Sequence, residues 1–406
     1  MDIKIYPGRL SGTVRIPSSK SVSHRNIIAA ALSGGISRIS GISLSKDIEV
    51  TSEAMRSFGA DISRKDDVFT VKGIFNEKRI PVTAFCDCGE SGSTLRFIIP
   101  VAAALGIDTV FDGHGKLPER PITPYIREFE KKGILFDKRG GLPIRMTGKL
   151  QNGIFELEGD ISSQFITGLL FALPLLDGDS EIHMLSPLQS APYAELTLNT
   201  LKKAGICVQK TEKGFFVKGV QSYAPFDSGT EGDYSQAAFF IAANAAGSDI
   251  SIAGLDPDSA QGDKVFADIA SDPCRKGFTV DVSDIPDLVP ALAVLGSIFE
   301  GKSRIVNAER LRIKESDRIE STAAMIRSLG GKASTSEDSI TIEHIDSFKG
   351  GTVDACNDHR IVMAAAVAAV YSSAPVIIKG AEAVRKSYPN FFEDLAKLGA
   401  KTEPIG

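Results

Sequence analysis

Basic residues lie within or at the end of short polar clusters at several points of the sequence. Lys20 and Arg25 belong to a Ser-rich cluster, and Arg96 lies in a second one. Arg360 ends an Asn-Asp-His-Arg cluster, and an apolar helical pattern follows each of the three. A helix N-terminus offers unpaired N–H groups and the positive end of a dipole, so it binds phosphate or carboxylate groups. Ser, Asn and Asp also cap helices without any ligand, but the recurrence of cations at these places favours anion binding.

The densest group of charges includes Lys314, Glu315 and Arg318. Asp317 and Glu320 have the spacing of a capping box, so part of this segment starts a helix. The three remaining side chains are candidates for chemistry. The alternative is a charged helix face that only meets water.

Composition excludes several classes of protein. The chain has 406 residues, of which 43% are hydrophobic and 24% charged, so a globular fold of two domains is expected. A formal net charge of −5 argues against a general nucleic-acid-binding surface, so any anion site must be local. Five cysteines without a C-x-x-C pair favour reduced thiols, and therefore a cytoplasmic protein.

Signals for cofactors, metals and membranes are missing from the sequence. There is no P-loop, no strand-borne G-x-G-x-x-G and no paired histidine spacing, so no cofactor and no metal are predicted. The N-terminus lacks the apolar core of a secretory signal. Residues 361–378 approach the length of a membrane span, but they contain Pro375 and polar residues, which favours a buried helix followed by a strand.

A polar cluster followed by an apolar helix occurs six times, about 70 residues apart. Each copy also contains short alternating runs typical of strands, and most contain an amphipathic helix that ends at Gly. The apolar helices must be buried and the amphipathic ones can meet water, which predicts an α/β protein with three repeats in each of two lobes. The copies begin near Ser19, Ser91, Ser162, Asp233, Ile285 and Asn357.

The tract 222–230 contains Pro225 and Gly229 and has the composition of a linker, so we place the crossing between the lobes there. Residues 3–16 are predicted to form a first strand before the first repeat. The predicted N-terminal lobe is 19–228. The predicted C-terminal lobe is 229–406, completed by the N-terminal strand within 1–18.

Together these features resemble the 5-enolpyruvylshikimate-3-phosphate synthase family along essentially the whole chain. The marks of the resemblance are residues 17–25 (PSSKSVSHR), 89–96 (GESGSTLR), 117–121 (LPERP), 162–164 (SSQ), 314–318 (KESDR), 357–360 (NDHR) and 386–389 (KSYP). The resemblance implies two lobes, each built of three βαβαββ repeats, in an inside-out α/β barrel. It implies transfer of the carboxyvinyl group of phosphoenolpyruvate to the 5-hydroxyl of shikimate 3-phosphate, with release of phosphate, in chorismate and aromatic amino acid biosynthesis.

The resemblance also assigns roles to residues of this sequence. Shikimate 3-phosphate would be held by Lys20, Ser21, Arg25, Ser162, Ser163, Gln164, Ser190, Asp287 and Lys314. Phosphoenolpyruvate would be held by Lys20, Gly92, Arg120, Gln164, Arg318, Arg360 and Lys386. In relatives the herbicide glyphosate binds at the phosphoenolpyruvate position. For catalysis, Asp287 would accept the proton of the attacking hydroxyl and Glu315 would deliver one to the methylene carbon, while Lys20 would assist addition and loss of phosphate.

Three positions depart from the family pattern. Glu90 stands where Asn is usual, Ala191 follows Ser190 where a Lys is often found, and Arg310 stands where Asn is frequent. These departures leave the response to glyphosate open. No metal or cofactor is implied by the resemblance, and the enzyme is expected to act as a monomer, without nucleic acid or membrane.

Two alternatives remain at this point. A UDP-N-acetylglucosamine enolpyruvyl transferase has Lys-Asn where this chain has Lys20 and Ser21, and usually a Cys near the position of Arg120, where this chain has none. A non-catalytic anion-binding repeat protein would keep the cations, but it has no need of Asp287 and Glu315.

Overall fold

The structure is a computed structural model that describes residues 1–77, 80–138 and 141–405. The chain divides into two compact units. The first, here called the central unit, is Ser18–Glu231. The second, here called the terminal unit, combines Met1–Pro17 with Gly232–Gly406.

The unit boundaries lie a few residues from those expected from the sequence. Ser18 is part of the central unit, because it exchanges two hydrogen bonds with Ser43, at 2.7 and 3.2 Å. Residues 229–231 also belong to the central unit, because Gly229 pairs with Ser40.

The described residues form helices and strands throughout. The α-helices are α1 (Lys20–Ala31), α2 (Lys46–Ser57), α3 (Ile74–Glu77), α4 (Gly92–Leu105), α5 (Thr123–Glu130), α6 (Ser163–Ala172), α7 (Ala191–Lys203), α8 (Tyr234–Ala245), α9 (Val265–Ala270), α10 (Val289–Ile298), α11 (Arg318–Ser328), α12 (His359–Val370) and α13 (Phe391–Lys397). Turns of 3-10 helix lie at Leu117–Glu119, Leu173–Leu175, Gly262–Lys264, Pro286–Leu288, Glu309–Ile313 and Ala381–Lys386. The strands are β1 (Asp2–Ile5), β2 (Ser11–Arg15), β3 (Ile36–Ser40), β4 (Asp61–Lys65), β5 (Val68–Lys72), β6 (Thr83–Asp87), β7 (Asp108–Asp112), β8 (Ile134–Phe136), β9 (Ile144–Gly148), β10 (Ile154–Leu157), β11 (Ser180–Met184), β12 (Val208–Thr211), β13 (Gly214–Val217), β14 (Ser228–Gly229), β15 (Asp249–Ala253), β16 (Thr279–Asp281), β17 (Lys302–Val306), β18 (Lys332–Thr335), β19 (Ile340–Glu343), β20 (Gly351–Asp354), β21 (Val376–Lys379) and β22 (Thr402–Ile405).

Three sheets of the central unit repeat one arrangement. Their strand orders are β14-β3-β5-β4, β6-β7-β9-β8 and β10-β11-β13-β12. In each sheet the first two strands are parallel and the other pairs are antiparallel. A parallel pair needs a crossover connection, which α4 provides between β6 and β7 and α6 provides between β10 and β11. This repetition confirms the three repeats predicted for this part of the chain.

The terminal unit repeats the arrangement with one shortened copy. The orders β16-β17-β19-β18 and β20-β21-β1-β22 again begin with a parallel pair, whereas β15 and β2 form a two-stranded sheet. The single strand predicted at residues 3–16 is wrong. Pro7 and Gly8 interrupt it, and β1 and β2 join different sheets. The six sheets of the described residues match the six predicted repeats.

The apolar helices of the central unit are buried and in contact. Almost all residues of α1, α4 and α6 are buried, whereas α2, α5 and α7 bury only one face. Gly168 lets α6 approach α4, since a Cβ there would lie 2.3 Å from the carbonyl oxygen of Arg96. The Tyr125 hydroxyl of α5 lies 2.8 Å from that same oxygen and 2.7 Å from the carbonyl oxygen of Phe165. These contacts fix the starts of α4 and α6 relative to each other.

The terminal unit is built in the same way. Helices α8, α10 and α12 are apolar and almost entirely buried. The segment 361–378, predicted as a buried helix followed by a strand, forms most of α12 and then most of β21, which confirms the prediction. No helix of the described residues has the length and apolarity that a membrane span requires.

Candidate active site

Three helices of the central unit begin at a serine that caps them. Ser19, Ser91 and Ser162 accept hydrogen bonds from the backbone N–H groups of Val22, Thr94 and Gln164, respectively. These serines therefore have the structural role that capping alone requires. The predicted ligands Lys20, Ser21, Gly92 and Ser163 lie beside them in the first turns, where the helix dipole favours anions.

Lys20, the first residue of α1, is paired with an acid. Its Nζ lies 2.8 Å from Oδ2 of Asp47 in the first turn of α2, and the two side chains are 18% and 14% exposed. Such a partly buried pair holds the direction of the ammonium group better than a fully exposed pair would. Asp47 was not singled out from the sequence, because an acid in the first turn of a helix is an ordinary feature.

Arg25 lies inside the central unit, with 2% of its surface exposed. Its Nε donates to Oγ1 of Thr197 at 2.9 Å, and its Nη2 donates to the carbonyl oxygen of Tyr193 at the same distance. A further bond, from Nη1 to the carbonyl oxygen of Ser21, measures 2.7 Å. Burial lowers the pKa of Arg25 to about 10, so the group remains charged at neutral pH. Nε and Nη2 of Arg25 thus join α1 to α7, and the guanidinium group also contacts Ser21 in the first turn of α1.

Gln164 is oriented at both ends of its amide. Nη1 of Arg96 donates to Oε1 of Gln164 at 2.8 Å, and Nε2 of Gln164 donates to Oγ of Ser93 at 2.9 Å. Arg96 is 6% exposed, and its guanidinium carbon lies 4.9 Å from the centre of the Phe165 ring. The amide of Gln164 is therefore held by side chains of the first two turns of α4.

Gly92 and Arg120, both predicted to hold phosphoenolpyruvate, are neighbours. A Cβ on Gly92 would lie 2.6 Å from Nη1 of Arg120, which is closer than real side chains approach. Arg120 follows the turn Leu117–Glu119 and is partly buried. The absence of a side chain at Gly92 therefore leaves room for this guanidinium at the start of α4.

Ser163 and Ser190 are the most buried of the predicted serine ligands, at 5% and 4% exposure. Ser163 is the first residue of α6, and Ser190 precedes α7 with a φ of 58°, in the left-handed region. This conformation is uncommon for a residue other than Gly, Asn or Asp, and residues held in it occur often at binding sites. The φ of Ser190 could not be inferred from residue type.

One buried arginine of the terminal unit joins the two predicted catalytic carboxylates. Arg318 is 1% exposed, and its Nη1 lies 2.9 Å from Oδ1 of Asp287 while its Nη2 lies 2.6 Å from Oε2 of Glu315. A third carboxylate, that of Asp358, is fully buried and lies 3.0 Å from Nε. The side chains of Asp287 and Glu315 are 22% and 21% exposed, so solvent reaches them but not the arginine between them.

Asp287 is shared between two arginines. Its second oxygen, Oδ2, lies 2.6 Å from Nη2 of Arg360. Burial by itself would raise the pKa of Asp287, but the charges of Arg360, Arg318 and Lys314 hold that pKa well below its usual range. The carboxyl group is therefore ionised at neutral pH, which is the state that a general base requires.

Two lysines complete the cationic surroundings. Burial lowers the pKa of Lys314 to about 8, against the opposing charge of Asp287 and with the help of Arg310. Lys386 is 8% exposed, and its Nζ donates to the carbonyl oxygen of Asn357 at 2.8 Å. The cations and acids predicted for this part of the chain thus lie around the starts of α11 and α12.

Glu90, Ala191 and Arg310, which depart from the family pattern, lie in three different parts of the structure. The Glu90 carboxylate packs against a turn, since a Cβ on Gly115 would lie 2.5 Å from its Oε2. Arg310 donates to the carbonyl oxygen of Ser283, in the segment that leads to Asp287. Ala191 is the first residue of α7. Among the described residues, no group of three or more His, Cys, Asp or Glu side chains is placed to hold a metal ion.

Comparison with known proteins identifies the family. The family model described as EPSP synthase (3-phosphoshikimate 1-carboxyvinyltransferase) matches residues 5–395. The chain belongs to the EPSP synthase family. A 3-phosphoshikimate 1-carboxyvinyltransferase of Clostridium kluyveri is 42% identical over 419 residues, covering 99% of this chain and 98% of the relative. The enzyme of the same name from Clostridium acetobutylicum is 44% identical over 416 residues, covering 98% of this chain and 97% of the relative.

Solved structures confirm the predicted repeat-built α/β fold of this EPSP synthase family member. EPSP synthase from Acinetobacter baumannii superimposes with a TM-score of 0.83 at 24% identity, covering 99% of this chain and all of that chain. The enolpyruvyl transferase NikO from Streptomyces tendae gives a TM-score of 0.79 at 16% identity, with 99% of this chain and 98% of that chain covered. Because EPSP synthase and the transferase NikO share this fold, the family match rather than the fold points to the substrates.

Proposed function

We propose that this enzyme transfers the carboxyvinyl group of phosphoenolpyruvate to the 5-hydroxyl of shikimate 3-phosphate and releases phosphate. The observation that carries the proposal is the match to the EPSP synthase model over residues 5–395, with relatives of that name covered along nearly their whole length. The carboxylates and cations around Arg318 support it, because this reaction needs both proton transfer and anion binding.

The chemistry proceeds by addition and then elimination. The hydroxyl oxygen bonds to C2 of phosphoenolpyruvate while its own proton goes to a base and C3 gains a proton from an acid. In the second stage C3 loses a proton, the C2–O bond to phosphate breaks, and the double bond forms again. The first stage needs a base for the hydroxyl proton and an acid for C3, and the second needs a base for the C3 proton and a group that stabilises or protonates the leaving phosphate oxygen.

Asp287 and Glu315 fit the two proton-transfer roles. Asp287 is ionised and accepts the hydroxyl proton, and Glu315, on the same guanidinium, serves C3. Substrate anions compete with Asp287 for Arg360 and Arg318. As these guanidinium groups turn to the substrate, the pKa of Asp287 rises, and the carboxylate becomes a stronger base once phosphoenolpyruvate is bound.

The proposed binding roles divide between the substrates. Shikimate 3-phosphate is held by Lys20, Ser21, Arg25, Ser162, Ser163, Gln164, Ser190, Asp287 and Lys314. Phosphoenolpyruvate is held by Lys20, Gly92, Arg120, Gln164, Arg318, Arg360 and Lys386. The contact of Gly92 with Arg120 and the fixed amide of Gln164 support these assignments, as does the helix dipole at the starts of α1, α4 and α6. The ion pair that orients Lys20 toward Asp47 supports the proposal that Lys20 assists the leaving phosphate.

A phosphate-release assay tests the proposed function. Purified enzyme should release phosphate only when both phosphoenolpyruvate and shikimate 3-phosphate are present, in an amount equal to the carboxyvinyl ether formed. Release with UDP-N-acetylglucosamine in place of shikimate 3-phosphate would support the related transferase, which the family match does not favour. Binding of both anions without release would instead indicate a non-catalytic protein. Action as a cytoplasmic monomer without metal, cofactor or nucleic acid stays a prediction.

A further inference from the structure

The segment just before α12 contacts three of the proposed phosphoenolpyruvate ligands. Cys356 and Asn357 both have positive φ values, 49° and 55°, so the chain turns sharply before the helix. The carbonyl oxygen of Asn357 accepts a hydrogen bond from Lys386 at 2.8 Å. The next residue, Asp358, directs its carboxylate to the interior, where it has 0% exposure.

Asp358 bonds to the other two ligands by different atoms. Its Oδ1 accepts a hydrogen bond from the backbone N–H of Arg360 at 2.9 Å, which caps α12. Its Oδ2 accepts from Nε of Arg318 at 3.0 Å and from Oγ of Ser316 at 3.1 Å. In addition, Nη2 of Arg318 lies 3.4 Å from Oδ1 of Asp358. One carboxylate therefore fixes the backbone that carries Arg360 and the side chain of Arg318.

A helix cap alone does not account for these contacts. Asp317 caps α11 in the ordinary way: it accepts from the backbone N–H of Glu320, and its carboxylate pairs with the partly exposed Arg312. Asp358 is fully buried instead, and a buried charge is costly unless an opposite charge and further hydrogen bonds accompany it. A neutral Asn caps a helix as well as Asp does. The charge of Asp358 is therefore more than capping needs.

We propose that Asp358 is a positioning residue for the carboxyvinyl transfer: it fixes Arg318, and through Arg318 it sets the separation and direction of the Asp287 and Glu315 carboxylates. This inference rests on the proposed function. Arg318 binds Asp358 mainly through Nε, and it binds Asp287 through Nη1 and Glu315 through Nη2. Without the charge of Asp358, the guanidinium shifts toward Asp287 and Glu315 and binds them more strongly.

Asp358→Asn is the test variant and Asp317→Asn is its matched control. Both changes keep a helix-capping side chain and remove one carboxylate that pairs with an arginine. For Asp358→Asn we expect the kcat/KM for phosphoenolpyruvate to fall on the order of 30-fold or more, with a higher KM for this substrate. We expect Asp317→Asn to stay within about twofold of the wild type.

The pH profile distinguishes positioning from a loss of folded enzyme. The charged groups of the cluster are Asp287, Glu315, Asp358, Arg318, Arg360 and Lys314. Arg310 acts on Lys314, and the titratable ring of His359 places its Nδ1 3.9 Å from Oδ1 of Asp358. With Asp358 neutralised, Arg318 stabilises the ionised forms of Asp287 and Glu315 more strongly, so the acidic limb of kcat, which reports the substrate-bound enzyme, should move to lower pH. Partial unfolding would lower kcat and leave KM and this limb unchanged.

Ser316→Ala keeps the proposal testable if Asp358→Asn does not fold. It removes one hydrogen bond to Oδ2 of Asp358 and should lower kcat/KM for phosphoenolpyruvate by about threefold or more without lowering the melting temperature by more than a few degrees. If Asp358→Asn folds and keeps the KM and the pH limb of the wild type, the inference is overturned. If Asp358→Asn does not fold, the same result for Ser316→Ala overturns it. A wild-type enzyme that releases no phosphate would overturn the proposed function instead, so the two failures are distinct.

Discussion

The two units hold their charged residues in different ways. In the central unit the cations have local partners: Lys20 pairs with Asp47, and Arg96 fixes Gln164. In the terminal unit the acids and cations belong to one network around Arg318. A change at a local pair stays local, whereas a change in a shared network alters every member. We therefore expect a single change in the terminal unit, which contains both proposed proton-transfer groups, to lower activity more than a change at a local pair of the central unit, although both units contain proposed substrate ligands.

The largest effect that this contrast predicts comes from the terminal unit. Asp287→Asn should lower kcat by a factor on the order of 10² or more, because an amide cannot accept the hydroxyl proton. Asp281→Asn is the matched control, since Asp281 is exposed and accepts hydrogen bonds from Ser283 and Asn307. Steady-state phosphate release measures both. Normal turnover by Asp287→Asn would show that Asp287 is not the base, and the proposed contrast between the two units would fail.

A smaller effect concerns the charge of Lys314. Because its pKa is lowered to about 8, Lys314 is charged below that pH and becomes neutral above it. The KM for shikimate 3-phosphate should therefore rise above pH 8, by at most about tenfold per pH unit. Lys314→Arg keeps its charge at these pH values and should abolish the rise. A wild-type KM that stays constant up to pH 9.5 would show that this lysine does not hold the substrate.

The smallest effect is expected in the central unit. Gly92→Ala puts a methyl group 2.6 Å from the present position of Arg120 Nη1, so the guanidinium must move. The KM for phosphoenolpyruvate should rise about threefold to tenfold, and the inhibition constant of glyphosate, a longer ligand, should rise more. Gly34→Ala is the matched control, because a Cβ there has no atom within 4 Å. Equal shifts in the two constants would remove Gly92 from the proposed binding residues.

The repeats and the helix starts could be predicted from the sequence because local patterns encode them. Apolar runs such as 361–370 can only be buried, and the polar residues before them mark where each helix begins. The interrupted first strand was missed because β-propensity outweighed Pro7 and Gly8 in the prediction, whereas the fold places β1 and β2 in different sheets.

Contacts between distant residues could not be predicted in this way. The sequence marks Arg25 as a candidate ligand, yet in the structure its Nε and Nη2 donate to Thr197 and Tyr193, which lie far along the chain. Asp358 and Asp47 have the sequence positions of ordinary capping or first-turn acids, and only the folded chain reveals that they contact Arg318 and Lys20. Local patterns carry no information on such pairings, which depend on how the repeats pack.

The claim that the terminal unit moves the protons is tested most directly by forming product in D2O and following its rate and deuterium content by mass spectrometry. Deuterium is expected in the vinyl group, because C3 gains and then loses a proton, and the slower Gly92→Ala should give the same deuterium content. Glu315→Gln should form product at least about 100-fold more slowly than the wild type. Its matched control is Glu320→Gln, which should match the wild type, because the Glu320 side chain is half-exposed and pairs only weakly with Arg312, at 3.7 Å. Product without deuterium, or a wild-type rate from Glu315→Gln, would contradict proton transfer at C3 by the terminal unit.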